Sequence, residues 1–140
     1  MRLAQAPAAM RLNLDHIGQV AYAVADADRA ERFYEDVLGL RKLYRYGELV
    51  FFDCAGVRLM LGQTSDPQAI ASHSALYFRC ADITLAQAEL QRRGAKFDGP
   101  PHRVAAMEDH DLWMNFFQDP DGHTLALMCE APKGYQPQGA

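Results

Sequence analysis

Two stretches of this chain say nearly the same thing: FFDCAGVRLML at 51–61 and FFQDPDGHTLALM at 116–128. Each opens on two phenylalanines and turns at a glycine. Each then enters an apolar-x-apolar triplet, Leu59-Met60-Leu61 in one and Leu125-Ala126-Leu127 in the other. The echo runs upstream as well. Asp82 follows Asp26 by 56 residues and Ala86 follows Ala30 by 56, while Gly122 follows Gly56 by 66. The extra length falls in an irregular stretch, GPPHRVAAMEDH. A repeat of this size is one supersecondary unit built twice, and the fold has to accommodate both copies.

Hydrophobic periodicity defines the unit. IGQVAYAV (17–24) is an apolar run of strand length. Asp26 then caps an amphipathic helix whose stripe is Ala30, Phe33, Val37 and Leu38 with Tyr34, stopped by Gly39. LRKLYRY, ELVFFDC and VRLMLG follow as strands, with turns at Tyr46-Gly47-Glu48 and Ala55-Gly56. After a polar linker at 65–73 the order returns. SALYFRC is a strand, and a helix runs from its Asp82 cap to Gly94. AKFDGPPHRV, DLWMNFFQ and HTLALMC are then strand candidates. The expected fold is α+β: two tandem βαβββ modules, 14–64 and 74–130, in one domain. They form a curved mixed sheet around a cleft, with the helices on the outside. Residues 1–13 and 131–140 are expected to be flexible tails, and Met10 competes with Met1 as the start.

A chain of 140 residues, 49% hydrophobic and 23% charged, can bury a real core. Its formal net charge is -4 and its basic residues are scattered, which speaks against a nucleic-acid partner. No apolar run approaches the roughly 20 residues that span a bilayer, so no membrane partner is expected. The opening MRLAQAPAAM lacks the apolar core of a secretory signal. Three cysteines without a CxxC pair point to reduced thiols and a cytoplasmic location.

The segments VADADRAERFYEDVLGL, YFRCADI and FFQDPDGHTLAL, with the repeat, resemble the vicinal oxygen chelate superfamily, the glyoxalase/bleomycin-resistance/dioxygenase proteins. The resemblance covers about residues 15 to 130. It implies, for metal-dependent members, two ligands from each module: one on the first strand, one in the middle of the triplet. Here those positions are Gln19, Ala75, Met60 and Ala126. One weak oxygen donor, one soft thioether and two alanines do not suit a catalytic divalent metal. No cofactor is therefore expected. The resemblance also implies a homodimer, because such proteins often complete or pack their clefts across a two-fold axis.

Strand alternation sorts the faces. Val20, Tyr22 and Val24, like Leu76, Phe78 and Cys80, go to the helices. Gln19 and Tyr77 are left for the cleft, with Arg58 and Met60 beside them. In DLWMNFFQ the set Leu112, Met114 and Phe116 is purely apolar, so Trp113, Asn115 and Phe117 are assigned to the cleft. The expected ligand-binding residues are thus Gln19, Arg58, Met60, Tyr77, Trp113 and Asn115. Together they suit a small aromatic or anionic organic molecule. Two have plainer readings, Tyr77 as core with its hydroxyl at the rim and Arg58 as the solvated partner of Asp53, while Gln19, an amide on an otherwise apolar strand, must find a ligand or water partner if buried.

His110 lies in MEDHDLW among Glu108, Asp109 and Asp111, and is the candidate catalytic base. His16 reads as a strand-entry residue, His73 and His102 as surface turns, and His123 as exposed after the DPDG turn. Asp119 and Asp121 belong to that turn. Two functions compete. One is a metal-free binding module. The other is a lyase, isomerase or dioxygenase, using a divalent metal displaced to His110 and Gln19 or using His110 alone. The missing ligands favour binding.

Overall fold

Two four-stranded sheets carry the computed structural model, which describes residues 15–71 and 74–137. The first sheet holds β1 (Gln19–Val24), β2 (Arg41–Tyr46), β3 (Leu49–Cys54) and β4 (Val57–Gln63) in the order β1-β4-β3-β2. The second holds β5 (Leu76–Arg79), β6 (His102–Ala106), β7 (Asp111–Gln118) and β8 (Thr124–Ala131) in the matching order β5-β8-β7-β6. In each sheet the first strand runs parallel to the last, because the helix carries the chain across before the three-stranded meander begins. The tandem α+β architecture read from the repeat is the one observed, with hydrogen bonding dividing the strands into two sheets.

Local chemistry explains the helices. Asp26 accepts from Arg29 N at 3.0 Å and opens α1 (Ala27–Arg32). Asp82 accepts from Leu85 N at 3.1 Å and opens α3 (Ile83–Arg92). Beyond Arg32 the first helix widens into a π turn over Phe33–Val37, and Gly39 at φ +72 ends it. α1 packs Ala27 and Ala30, and the π turn packs Tyr34, onto Tyr22, Val24, Val50, Phe52, Leu59 and Leu61. α3 packs Ile83 and Leu90 onto Trp113, Phe117, Leu125, Leu127 and Cys129. One face of each sheet is therefore core, and the other is left open.

Several expectations change. Of AKFDGPPHRV, only His102 onward is strand, since Pro100 and Pro101 donate no ladder hydrogen bonds. The linker contains a short helix, α2 (Pro67–Ala71). Residues 131–137, expected as tail, are held in place. Ala131 ends β8, Lys133 Nζ donates to the buried Asp111 at 2.8 Å, and Tyr135 meets Trp113 edge-on at 6.2 Å. Residues 1–13, the choice between Met1 and Met10, and His73 lie outside the described residues. Among those residues, no helix is long and apolar enough to cross a membrane.

The DPDG turn fastens the modules together. Asp119 is buried. Its Oδ2 accepts from Tyr34 OH at 2.8 Å, and its Oδ1 accepts from the backbone of Asp121 at 2.9 Å and His123 at 2.8 Å. Asp121 accepts from Ala25 N at 2.8 Å and from Arg29 at 2.9 Å. His123 is fully buried, against expectation. Its Nε2 donates to Ala23 O at 2.7 Å and its ring lies 4.7 Å from Tyr22. The turn looks like a surface turn in sequence because Pro and Gly dominate it. Pro120 and Gly122 are indeed exposed, but Asp119 and His123 are buried because the other module docks on them.

Candidate functional site

The open face of the first sheet brings Gln19, Arg58 and Met60 together. Gln19 is paired across the ladder with Arg58, and Ala21 with Met60. Met60 is next to Phe51, and Phe51 to Tyr44. Phe51 is nearly buried and forms a floor, on which Tyr44 stacks at 4.6 Å between ring centroids. The Arg58 guanidinium lies 5.7 Å from the Phe51 ring centre. Its Nε donates to Gln19 Oε1 at 2.8 Å and its Nη1 donates to Tyr44 OH at 3.3 Å. The Gln19 amide nitrogen approaches Met60 Sδ at 3.9 Å.

Arg58 is held by an amide, a phenol and a phenyl ring, all neutral. Its cross-strand neighbour Asp53 is engaged elsewhere, accepting from Arg41 at 3.3 Å and from Gly56 N at 3.1 Å. Among the described residues Arg58 makes no ion pair. A fixed, exposed guanidinium with unused N–H groups can take a carboxylate or another oxyanion, while the aromatic floor takes a flat apolar body. Tyr44 and Phe51 were missed in the sequence. Their signal was available, since the Ala55-Gly56 turn fixes the hairpin register that sets Phe51 beside Met60.

Tyr77 lies on the open face of the other sheet. It is half exposed and meets Phe116 edge-on at 6.1 Å, and both flank Ala126, which is fully buried between them. No hydrogen bond, ion pair or ring contact joins this pair to Arg58 among the described residues. Trp113 and Asn115 sit on the opposite side of β7. Trp113 is core against α3, and Asn115 donates to Gln87 Oε1 and Gly99 O at 2.9 Å each. The apolar set Leu112, Met114 and Phe116 faces outward instead. Asn115 tolerates burial because its amide nitrogen is engaged by α3 and the loop after it, and its oxygen accepts from Phe116 N at 3.0 Å.

His110 closes the hairpin between β6 and β7, where its carbonyl accepts from Met107 N at 2.8 Å. Its Nδ1 bonds Asp109 at 2.7 Å, and this bond holds the Asp109 carboxyl below its usual range. Asp111 turns the other way, where the Lys133 ammonium lowers its pKa. The acidic surroundings of His110 thus disperse rather than converge. A cavity of about 570 Å³, lined by Phe33, Lys96, Asp98, Phe117, Gln118 and Thr124, touches none of the expected site residues.

The four positions that would hold a metal do not suit one. Ala75 and Ala126 have no donor, Met60 offers a thioether, and the single Gln19 oxygen already accepts from a guanidinium. A cation there would sit against the Arg58 charge. No group of three His, Cys, Asp or Glu side chains is disposed for metal binding among the described residues.

Solved structures share this fold. A lactoylglutathione lyase from Agrobacterium tumefaciens aligns with a TM-score of 0.68 at 22% identity, over 86% of this chain and 98% of its own. TnmS3, an antibiotic binding protein from Streptomyces sp. CB03234, aligns at 0.65 and 23% identity, over 88% and 100%. A superfamily member from Sphaerobacter thermophilus aligns at 0.67 and 23%, over 82% and 97%. The sequence profile described as Glyoxalase/Bleomycin resistance protein/Dioxygenase superfamily matches residues 14–127. The repeat, the paired βαβββ modules and that match agree: the chain belongs to the glyoxalase/bleomycin resistance protein/dioxygenase superfamily.

Proposed function

We propose that this protein binds a small aromatic organic anion on the open face of its first sheet, without a metal. One observation carries the reading: Arg58, unpaired with any carboxylate among the described residues, is fixed over Phe51 by Gln19 and Tyr44. Anionic substituents dock on the guanidinium and the ring system lies against Tyr44, Phe51 and Met60. The likeness to an antibiotic binding protein supports the same class of function. The lyase, isomerase or dioxygenase reading has less support, since His110 bonds only a largely exposed neighbour, Asp109.

The experiment uses 2-naphthoate as probe, with calorimetric titration before and after dialysis against EDTA and elemental analysis of both samples. Equal affinity in the two samples is expected. Binding that disappears with a stoichiometric metal would overturn the metal-free reading.

Two copies are proposed to pair through the open face of the second sheet, where Tyr77 and Phe116 leave large aromatic surface exposed. Sedimentation equilibrium at micromolar concentration should return a dimer. A monomer would remove the pairing and leave the Arg58 reading standing. A reducing cytoplasmic location is part of the same proposal, with Cys54, Cys80 and Cys129 as thiols. Recovery of the native protein in a membrane or periplasmic fraction would remove it.

A further inference from the structure

Two of the three cysteines face each other across neighbouring strands. The β5–β8 ladder is parallel and its last recorded pair is Arg79 with Met128. Cys80 N then donates to Met128 O at 2.9 Å, which continues the ladder by one residue and sets Cys80 opposite Cys129. Both side chains lie on the helix-facing side, packed in the same core cluster. Cys129 Sγ points toward the Cys80 strand end, where it donates to Ala81 O at 3.4 Å. Adjacent strands stand about 4.8 Å apart, inside the roughly 4.4–6.8 Å Cα separation that disulfides span. Cys54 is on the other sheet, at the end of β3.

We propose that Cys80 and Cys129 form a cross-strand dithiol that a low-molecular-weight disulfide converts to an intramolecular disulfide. Cys80 is half-buried and Cys129 almost wholly buried, so Cys80 reacts first. Its thiolate attacks one sulfur of glutathione disulfide, forming a mixed disulfide and expelling one glutathione thiolate. Cys129, deprotonated, then attacks the Cys80 sulfur and expels the second. Two protein thiols are oxidised and one glutathione disulfide is reduced to two glutathiones.

Burial, with Cys129 and Asp82 nearby, pushes the Cys80 thiol up to about 11. Burial, with Asp82 and Glu130, pushes Cys129 up as well. Both groups are therefore neutral thiols near neutral pH. The pair stays reduced in a glutathione-rich compartment and oxidises faster as pH rises, by about tenfold per unit while thiolate is scarce.

The product would bolt the strand leading into α3 onto β8. Trp113 on β7 is the direct ladder partner of Cys129 on β8, so the only tryptophan stands beside the new bond. The test is incubation of the full chain with glutathione disulfide at alkaline pH, read by thiol titration, intact mass, peptide mapping and tryptophan emission. Titratable thiols are expected to fall from three to one. Two hydrogens are lost in mass, a Cys80–Cys129 cross-link appears, and Trp113 emission drops. Cys129→Ser should stop at a stable glutathione adduct on Cys80. A wild-type adduct that persists, or a cross-link through Cys54, would overturn the proposal, as would three thiols surviving the treatment. These wild-type outcomes decide the matter even where the serine variant fails to fold.

Discussion

Asp119→Ala is expected to cost about 3–5 kcal/mol of folding stability, among the largest losses a single side chain in this protein can cause. The carboxylate is buried and takes three hydrogen bonds: Tyr34 OH on one oxygen, and the backbone N–H groups of Asp121 and His123 on the other. Alanine removes both acceptor oxygens, and all three hydrogen bonds with them, and strands the Tyr34 hydroxyl inside the core. Burial and the Asp119 charge both raise the Tyr34 pKa, so the phenol remains a donor throughout the working pH range. Tyr34→Phe should cost less, about 1–3 kcal/mol, because only one bond is lost. The double variant should fall short of the sum, as the two share that bond. Urea unfolding measures all three. A loss under about 1 kcal/mol for Asp119→Ala would mean the turn is not what fastens the modules.

Trp113→Ala is expected to destabilise by a similar amount, about 3–5 kcal/mol, through the cavity left under α3. Trp113→Phe should cost less, since a ring still fills much of the space. The buried indole N–H also has no hydrogen-bond partner among the described residues to lose. Neither effect concerns the ligand. Trp113→Phe should bind 2-naphthoate as the parent does, because Trp113 lies on the helix side of its sheet and Arg58 on the open face of the other. A clear loss of affinity in a well-folded Trp113→Phe would return the tryptophan to the site.

The misplacement of Trp113 shows what the sequence could and could not carry. Element order and helix caps were legible because each rests on local chemistry: an Asp cap, a Gly stop, a period of two or of 3.6 residues. In the first module face assignment also succeeded, since Arg58 and Gln19 break an otherwise apolar alternation. In β7 both alternate sets are largely apolar, and between its ends Asn115 alone breaks the pattern. That asparagine is instead satisfied inside, by Gln87 and Gly99 O. The repeat held the answer: Phe51 opens its phenylalanine pair toward the open face, so Phe116, which opens the second pair, does the same. His123 and Asp119 could not be placed from local pattern, because their burial depends on the other module docking there. Tyr44 joins Arg58 only once the hairpin register is known.

Arg58 is proposed to anchor a negative charge over an aromatic floor. Calorimetric titration of 2-naphthoate and of its neutral counterpart 2-naphthamide, into the parent and Arg58→Ala, tests it most directly. A charge-assisted hydrogen bond is worth about 1.5–3 kcal/mol, so the carboxylate should weaken about tenfold or more in Arg58→Ala. The amide should bind both proteins nearly alike. Equal losses for the two ligands, or none for either, would mean that Arg58 serves the strand and its neighbours Gln19 and Tyr44 rather than an anion.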